Sequence, residues 1–490
     1  MFKKLLSFLT DSLTFGLSGV LGQLIGFIML PIYTQFLTPN DYGVLAMSFV
    51  ITAFFSSLAS LGMNSAVFRY FREETINQDK LISTAFVTVF ISSTILLLLC
   101  EVFLSKILYK ILLESNIRDG LWIMQITLFS SYLTTISSVL NTAIRAERKT
   151  RMALLVNVIY IVCQTLLSIV LVVLYKMGLL GMIYGQLFGQ IIVFVVLIFL
   201  LMKNNKLYLN LTIFKLMINY GLYIVPSNLL NAVMEQLGQY MIKSTLSLKM
   251  VGLYGIAGRI AAPIQIVGSS MTYAHTAFFF QILKEDNPKK YLRALVSYYI
   301  TFLTYLWVAV SIWGVEILRL LTTPEFHGAS VLIAPIALIP LLFNVWTFYA
   351  SGIDSGENLR PYLFVNLTGV IVFGLSLYVM IDKFGVIGAA YATIFTRIVM
   401  IIVSHYFSQK RLEVNYNTIL VIAVVLSGII AIFINNLWSH EGFFYRIAAA
   451  LITSLVFPLL CIGILVIFPI ERLQMLNFAH NAIKRRNKKI

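Results

Sequence analysis

Charge is scarce in this chain. Of 490 residues only 11% are Asp, Glu, Lys or Arg, against 59% that are hydrophobic, and the mean hydropathy is +0.90. A soluble domain carries ~25% charged residues, so water is excluded as the solvent for most of this surface. Cysteine and histidine are also sparse. Cys100, Cys163 and Cys461 each stand alone in an apolar stretch, which gives neither a metal-ligand spacing nor a plausible disulfide pair. His275, His327, His405, His440 and His480 are scattered. No metal or other cofactor is expected. A phosphate-binding loop of the ATPase type is missing, so ATP hydrolysis within the chain is not expected to drive it. Loops are short, none exceeding roughly fifteen residues, which leaves no room for a soluble catalytic domain. A membrane-embedded glycan polymerase or acyltransferase would show a long outer loop or clustered His and Asp. Neither occurs, so an enzyme is not expected.

What the chain does have is oil-soluble helix. About fourteen apolar stretches approach the ~20 residues needed to cross a bilayer. They fall near 12–37, 42–68, 81–104, 120–143, 153–175, 179–202, 217–242, 251–280, 291–315, 328–351, 361–381, 385–408, 417–437 and 443–468. The runs are continuously apolar rather than alternating, which excludes a β-barrel and predicts an all-α polytopic membrane protein. Met1-Phe2-Lys3-Lys4 is basic, but the apolar run after Asp11 is too long for a cleaved signal and lacks a small-residue cleavage site. It predicts a retained first span.

Charge orients the spans. With the N-terminus cytoplasmic, the inner loops and tails hold about 25 Lys and Arg and the outer loops about nine, a bias that satisfies the positive-inside rule. Arg69, Arg72, Lys80, Arg145, Arg148, Lys149 and Arg151 are inner; Lys106, Lys110, Lys176, Lys243 and Lys383 are outer. The net charge of +16 is then mostly topology and implies no nucleic acid. The basic end, Lys484-Arg485-Arg486-Asn487-Lys488-Lys489, suits either a solvated tail or anionic lipid heads.

A block recurs 207 residues on. Lys176-Met177-Gly178-Leu179-Leu180-Gly181, with Tyr184, Phe188 and Ile191, is echoed by Lys383-Phe384-Gly385-Val386-Ile387-Gly388, with Tyr391, Phe395 and Ile398. Glu147 and Val156-Asn157 are echoed by Glu357 and Val365-Asn366. Phe15-Gly16-Leu17 is echoed by Tyr220-Gly221-Leu222, and Gly43-Val44-Leu45 by Gly252-Leu253-Tyr254. Three echoes in one order, at offsets between 205 and 210, argue for a duplicated unit, which is a transporter feature. Six spans per copy give both copies the same sense, so an axis along the membrane normal is expected to relate them, with the substrate path in the crevice between. The expected division is a six-helix lobe at 1–206, a second at 207–412, helices thirteen and fourteen at 413–470, and a cytoplasmic tail at 471–490. Gly181-x-x-x-Gly185-x-x-x-Gly189 reads as close helix packing through small residues.

Three ionised residues fall inside spans: Glu235, Arg259 and Arg397. A central charge costs ~2.5–3.5 kcal/mol on insertion scales, so such groups face protein or water. Span seven puts Asn228, Asn231, Glu235 and Gln239 on one helical face, fit to line a hydrated cleft. Span one carries a matching small-residue stripe of Ser12, Gly16, Gly19, Gln23 and Gly26. Glu235 and Arg259 both lie ~12 Å deep at 1.5 Å per residue. They are placed either to pair structurally or to act separately, Glu235 taking up a proton or Na⁺ and Arg259 binding an anionic group. Arg397 lies near mid-span, where an anionic cargo, an acid or a carbonyl can satisfy it. Its counterpart in the first copy is Gln190.

Several of these segments resemble one family. Thr38-Pro39-Asn40-Asp41-Tyr42-Gly43-Val44-Leu45 looks like the first connection of polysaccharide flippases, in which a leucine, a Gly-Pro pair, acidic residues and Tyr-Gly recur. Gln35 and Thr38 stand where Arg and Gly are common. Leu61-Gly62-Met63 with Phe68-Arg69-Tyr70, Tyr220-Gly221-Leu222 with Pro226-Ser227, and Val251-Gly252-Leu253-Tyr254 with Ala257-Gly258-Arg259 are similar to later segments. The resemblance is to the polysaccharide-transporter branch, which includes O-antigen flippases, of the multidrug/oligosaccharidyl-lipid/polysaccharide exporter superfamily. It implies a bacterial inner-membrane flippase with both termini cytoplasmic. Such a protein carries an undecaprenyl-pyrophosphate-linked glycan from the cytoplasmic to the outer leaflet, by rocking of its two bundles, for O-antigen, capsule or a similar surface polysaccharide. Asn228, Asn231, Gln239 and Gln265 would bind sugar, Arg397 and Arg259 the pyrophosphate, and Glu235 the coupling ion. Bilayer lipids would receive the polyprenyl tail, and a glycan polymerase and glycosyltransferases would share the pathway. The alternatives within the superfamily are a cation-coupled drug or metabolite antiporter and a flippase for the peptidoglycan lipid precursor.

Overall fold

The segment Thr38-Pro39-Asn40-Asp41 starts a helix for local reasons. The Thr38 hydroxyl accepts from the Asp41 amide at 3.3 Å, and the Asp41 carboxylate accepts from the Thr38 amide at 2.8 Å. This capping box satisfies two amides that a helix start leaves orphaned, and Pro39 in the first turn has no amide to satisfy. The computed structural model describes residues 20–467 apart from 72, 74, 75, 113–118, 148, 205–207, 283–287, 355–359 and 439–442, and in it this helix runs Pro39–Ala59.

The described residues form helices and turns without a strand. Eleven of the helices are long and apolar enough to cross a membrane, from Pro39–Ala59 to Thr418–Leu437. They coincide with predicted spans two to six and eight to thirteen. The predicted seventh span falls on Leu211–Thr245, a 35-residue helix too polar along its length to count with the eleven. The fourteenth falls on Phe443–Ile467. The described part of the first, residues 20–36, is helical with a turn at Met29. The chain is a multi-pass all-α membrane protein. Ser12, Gly16 and Gly19 of the first-span stripe, and the basic tail, lie outside the described residues.

Two compact units divide the chain. The first comprises Met1–Arg259, Leu321–Gly328 and Asn366–Ala392, and the second Ile260–Leu320, Ala329–Val365 and Thr393–Ile490. The first holds an apolar core that includes Leu81, Ala85, Val89, Ile136, Val139 and Leu197. In the second, polar groups stitch the helices. The Tyr299 phenol donates to the Asn344 side-chain carbonyl at 2.8 Å, and the Asn344 amide donates to the Pro340 carbonyl at 2.8 Å. The Trp346 indole donates to the Ser404 hydroxyl at 2.7 Å, and the Gly352 amide donates to Ser408 at 2.9 Å. These last two bonds seat the helix Val386–Gln409, which carries Arg397.

Glycines set the closest approaches in the first unit. A Cβ added at Gly43 would strike the Leu248 carbonyl, and one added at Gly252 would strike the Pro39 carbonyl. Gly43 and Gly252 are equivalent positions of the two sequence copies, as are Pro39 and Leu248. The helices Pro39–Ala59 and Leu248–Ile282 therefore meet backbone to backbone in a mutually matched pair of contacts. At the far end of Pro39–Ala59, Leu61 and Gly62 take the left-handed conformation (φ 47° and 71°), and Gly62 rests on Gly221 with room for no side chain on either. Tyr70 packs edge-on against Tyr220 at 5.7 Å, with Arg69 over the same ring at 6.0 Å. The four segments that carry the family resemblance thus meet in space as two pairs.

The strongest sequence echo is a repeated hairpin. Gly178 and Gly385 both take positive φ (53° and 61°) at the turn. Three residues later, Gly181 lies against Leu171 and Val172, and Gly388 against Met380 and Ile381. The first hairpin ends its leading helix in a π-helical turn, Val170–Leu174, whereas the second runs straight through Arg360–Phe384. Gly181, Gly185 and Gly189 face Val172, Ser168 and Gln164 along one seam, as the glycine spacing predicts.

Gly252→Ala should lower stability by ~1–3 kcal/mol through overpacking, read as a lower unfolding temperature in detergent. Gly255→Ala and Gly258→Ala, on the same helix with nothing within 4 Å of the added carbon, should not. Equal effects at all three positions would remove the backbone contact as the cause.

Candidate functional site

Span seven is held where its stripe can serve. Asn210 caps the helix Leu211–Thr245, its side-chain oxygen accepting from the amides of Thr212 and Ile213 at 3.0 and 3.1 Å. Gly221 then presses on Leu61 and Gly62. Pro226 lies inside the helix and removes one ladder donor. Beyond it come the polar residues. Asn228 and Gln239 are half-buried, while Asn231 and Glu235 are exposed. The side-chain oxygens of Gln236 and Gln239 are buried and accept no hydrogen bond. Gln236 stands outside the spacing that picked the stripe. Its signal in the sequence was only its place three residues before Gln239.

Arg259 belongs to the helix Leu248–Ile282, where Ile256, Ala257 and Ile260 are buried beside it. Its guanidinium carbon lies 5.2 Å from the centre of the Tyr42 ring, a cation–π distance. Tyr42 is 4% exposed. It is braced edge-on by Phe326 at 5.4 Å, and its hydroxyl has no hydrogen-bond partner. The contact follows from the glycines: Gly252 sits two turns before Arg259, and Gly43 follows Tyr42. Tyr42 lies in the segment first matched to the family, yet its pattern alone does not reveal that its ring meets a cation from the other copy.

Glu235 and Arg259 do not pair. Ion pairs among the described residues include Lys149–Glu147, Arg319–Glu316 and Arg446–Glu316, and neither Glu235 nor Arg259 joins one of these. The equal depth that allowed a Glu235–Arg259 bridge does not bring the two charges together in this conformation.

The second unit holds the other candidates. Arg397 is half-buried, its guanidinium 5.2 Å from the centre of the Phe343 ring and its Nη1 3.8 Å from the Met400 sulfur. Gln265 is half-buried on the helix that also carries Pro263. In the first unit the counterpart of Arg397, Gln190, is 6% exposed. No cluster of three or more His, Cys, Asp or Glu able to hold a metal occurs among the described residues.

Comparison with known proteins agrees with this architecture. The profile of a family described as polysaccharide biosynthesis protein matches residues 32–322. No curated protein matches the chain in sequence. A solved structure of the lipid II flippase MurJ, in an inward closed conformation, is similar with a TM-score of 0.72 at 15% identity, over 92% of this chain and 98% of that one. An outward-facing multidrug resistance transporter of the MATE family and MOP superfamily gives 0.58 at 13% identity, over 85% and 96%. A MOP superfamily transporter from Pyrococcus furiosus gives 0.58 at 14% identity, over 83% and 95%. At these identities the likeness is one of fold, shared with these flippase and transporter structures.

Since Glu235 is exposed and joined to no cation among the described residues, Glu235→Gln should change stability by no more than ~0.5 kcal/mol, read by thermal unfolding. The charge-swapped double variant Glu235→Arg, Arg259→Glu should not restore what Arg259→Glu loses. Recovery in the double variant would show that the two charges do pair in another state.

Proposed function

The chain belongs to the polysaccharide biosynthesis protein family, and from that premise we propose that it is a flippase for a polyprenyl-pyrophosphate-linked oligosaccharide. In this reading it carries the head group from the cytoplasmic to the outer leaflet of a bacterial inner membrane by alternating access, supplying O-antigen, capsule or a similar surface glycan. Both termini are cytoplasmic, and glycosyltransferases and a glycan polymerase act before and after it.

One observation carries the proposal: Arg259 sits in a membrane span with its charge against a tyrosine ring and, among the described residues, no carboxylate paired with it. A cation kept in a low-dielectric setting without a neutralising acid suits a cargo that brings its own negative charge. Arg397, against Phe343 in the second unit, is the other candidate for pyrophosphate. A guanidinium offers the bidentate, charge-assisted bonds that phosphate oxygens take best. The amides of Asn228, Asn231, Gln239 and Gln265 are the candidates for the sugar. The unsatisfied oxygens of Gln236 and Gln239 support that role, because a buried acceptor left open costs ~1–3 kcal/mol until something donates to it. The polyprenyl tail needs no protein site, since lipid solvates it.

Glu235 is the candidate for ion coupling. It is exposed, acidic and, among the described residues, outside any ion pair, so a proton or Na⁺ can reach it without first breaking a bridge. The drug-antiporter alternative needs acids to hold cationic cargo. The charged candidates here are two arginines to one glutamate, which favours an anionic cargo.

Arg397→Ala and Arg259→Ala should each cut surface glycan by ~10–100-fold, as expected for a lost charge-assisted bond, with membrane levels of the protein unchanged on immunoblots. Normal glycan in the Arg397→Ala strain would remove that residue from the site. Glu235→Gln should abolish dependence of transport on the ion gradient in proteoliposomes, and retained gradient dependence would move the coupling elsewhere.

A further inference from the structure

Near Arg259 the first unit gathers three hydroxyl groups, and those of Tyr42 and Ser168 find no partner in its packing. Tyr42, in the first turn of Pro39–Ala59, is 4% exposed, and its hydroxyl has no partner. Tyr33, on the short helix Leu30–Phe36, is 5% exposed. Both phenols lie within electrostatic reach of Arg259, and Tyr33 within that of Tyr42. Ser168, 1% exposed, lies beside Tyr33, yet its hydroxyl sits outside hydrogen-bond geometry. Four helices therefore bring one guanidinium and three hydroxyls to one place, and two of those hydroxyls are fully buried without a bond.

Packing explains why the groups are there but not why they are polar. Phe in place of Tyr42 would keep the edge contact with Phe326 and the face offered to Arg259. The oxygen is the part the fold does not need. An orphaned buried hydroxyl is a standing cost, retained when a ligand satisfies it. The donors decide the ligand. Arg259 can only donate, through a planar fork, and phenol and serine hydroxyls donate readily to charged oxygens.

We propose that Tyr42, Tyr33 and Ser168 complete, with Arg259, a phosphate subsite that takes one phosphate of a pyrophosphate-bearing cargo. The assignment rests on the flippase reading for its cargo, but the subsite is testable without transport. It adds Tyr42 and Tyr33 as binding residues, and it gives the Tyr-Gly pair of the sequence two adjacent tasks: the glycine lets the helices touch, and the tyrosine receives the anion beside the contact.

The test is thermal unfolding of the purified full chain in neutral nanodiscs, titrated with inorganic pyrophosphate. Wild type should be stabilised by pyrophosphate. Tyr42→Phe should unfold at the same or a higher temperature without ligand, since it deletes an unsatisfied group, and should bind pyrophosphate about ten-fold more weakly. Tyr33→Phe probes the neighbouring hydroxyl independently and should weaken binding in the same direction. Arg259→Lys should retain more affinity than Arg259→Ala, since it keeps the charge and loses the fork. A Tyr42→Phe protein that is less stable without ligand but binds pyrophosphate as wild type does would make the hydroxyl structural and overturn the subsite. Wild type indifferent to pyrophosphate, in cells where Arg397→Ala still blocks glycan export, would overturn the subsite and leave the flippase reading standing. A shift given by phosphatidylglycerol in the nanodisc and removed by Tyr42→Phe would assign the hydroxyls to a lipid head group and overturn the cargo assignment.

Discussion

Bare backbone contact between helices is the constraint on which the first unit depends. In lipid there is no hydrophobic gain to press helices together, so close fit and polar contact must hold them. Gly43 against Leu248, Gly252 against Pro39, and Gly62 against Gly221 supply the fit. Each brings two helix backbones nearer than any side chain would permit. The helix Pro39–Ala59 is pinned at both ends in this way, one end to Leu248–Ile282 and the other to Leu211–Thr245. Arg259 reaches the Tyr42 ring because the first of these contacts leaves no gap. The chemistry of the candidate site is thus a consequence of where glycine stands.

Polar atoms obey the same solvent. Thr34, Ser48, Thr88, Ser131, Thr135, Thr301, Thr304 and Ser311 each return their hydroxyl to the carbonyl four residues back. The indoles of Trp307, Trp313 and Trp346 all find acceptors. Beside these bonds, thirteen buried polar atoms find no hydrogen-bond partner among the described residues, and the oxygens of Tyr42, Gln236 and Gln239 are among them. These three oxygens lie on the helices that also carry Glu235 or meet Arg259. In a hydrocarbon setting an unmet polar group is costly, and a cargo that donates to or accepts from these oxygens would offset that cost.

Much of the architecture was legible in the letters, because its signal is local. An apolar run long enough to cross a bilayer is read without knowing its neighbours, and thirteen of the fourteen predicted stretches coincide with described helices from Pro39 onward. The polar face of Leu211–Thr245 was equally local, a matter of helical spacing. The glycine seam at Gly181, Gly185 and Gly189 was read from spacing and packs as spacing implies. What pattern did not supply was which distant groups meet. Equal depth placed Glu235 and Arg259 as possible partners, yet depth says nothing of rotation about the helix axes, and the arginine turns to Tyr42 instead. Gln236 escaped because a stripe defined by intervals of three and four omits the residue next to Glu235. The tyrosine in the family-like segment was visible as a letter; its partner, more than two hundred residues away, was not.

The π-helical turn at Val170–Leu174 carries a record of ancestry. The echo of Val156-Asn157 comes 209 residues on and that of Lys176 comes 207 on, so the first half is two residues longer than the second between those points. The extra length is taken up by the widened turn and the three residues after it, Tyr175–Met177. Downstream, Gly178 and Gly385 resume in step. A helix end that can swallow surplus chain lets the two halves differ in length while their hairpins stay aligned.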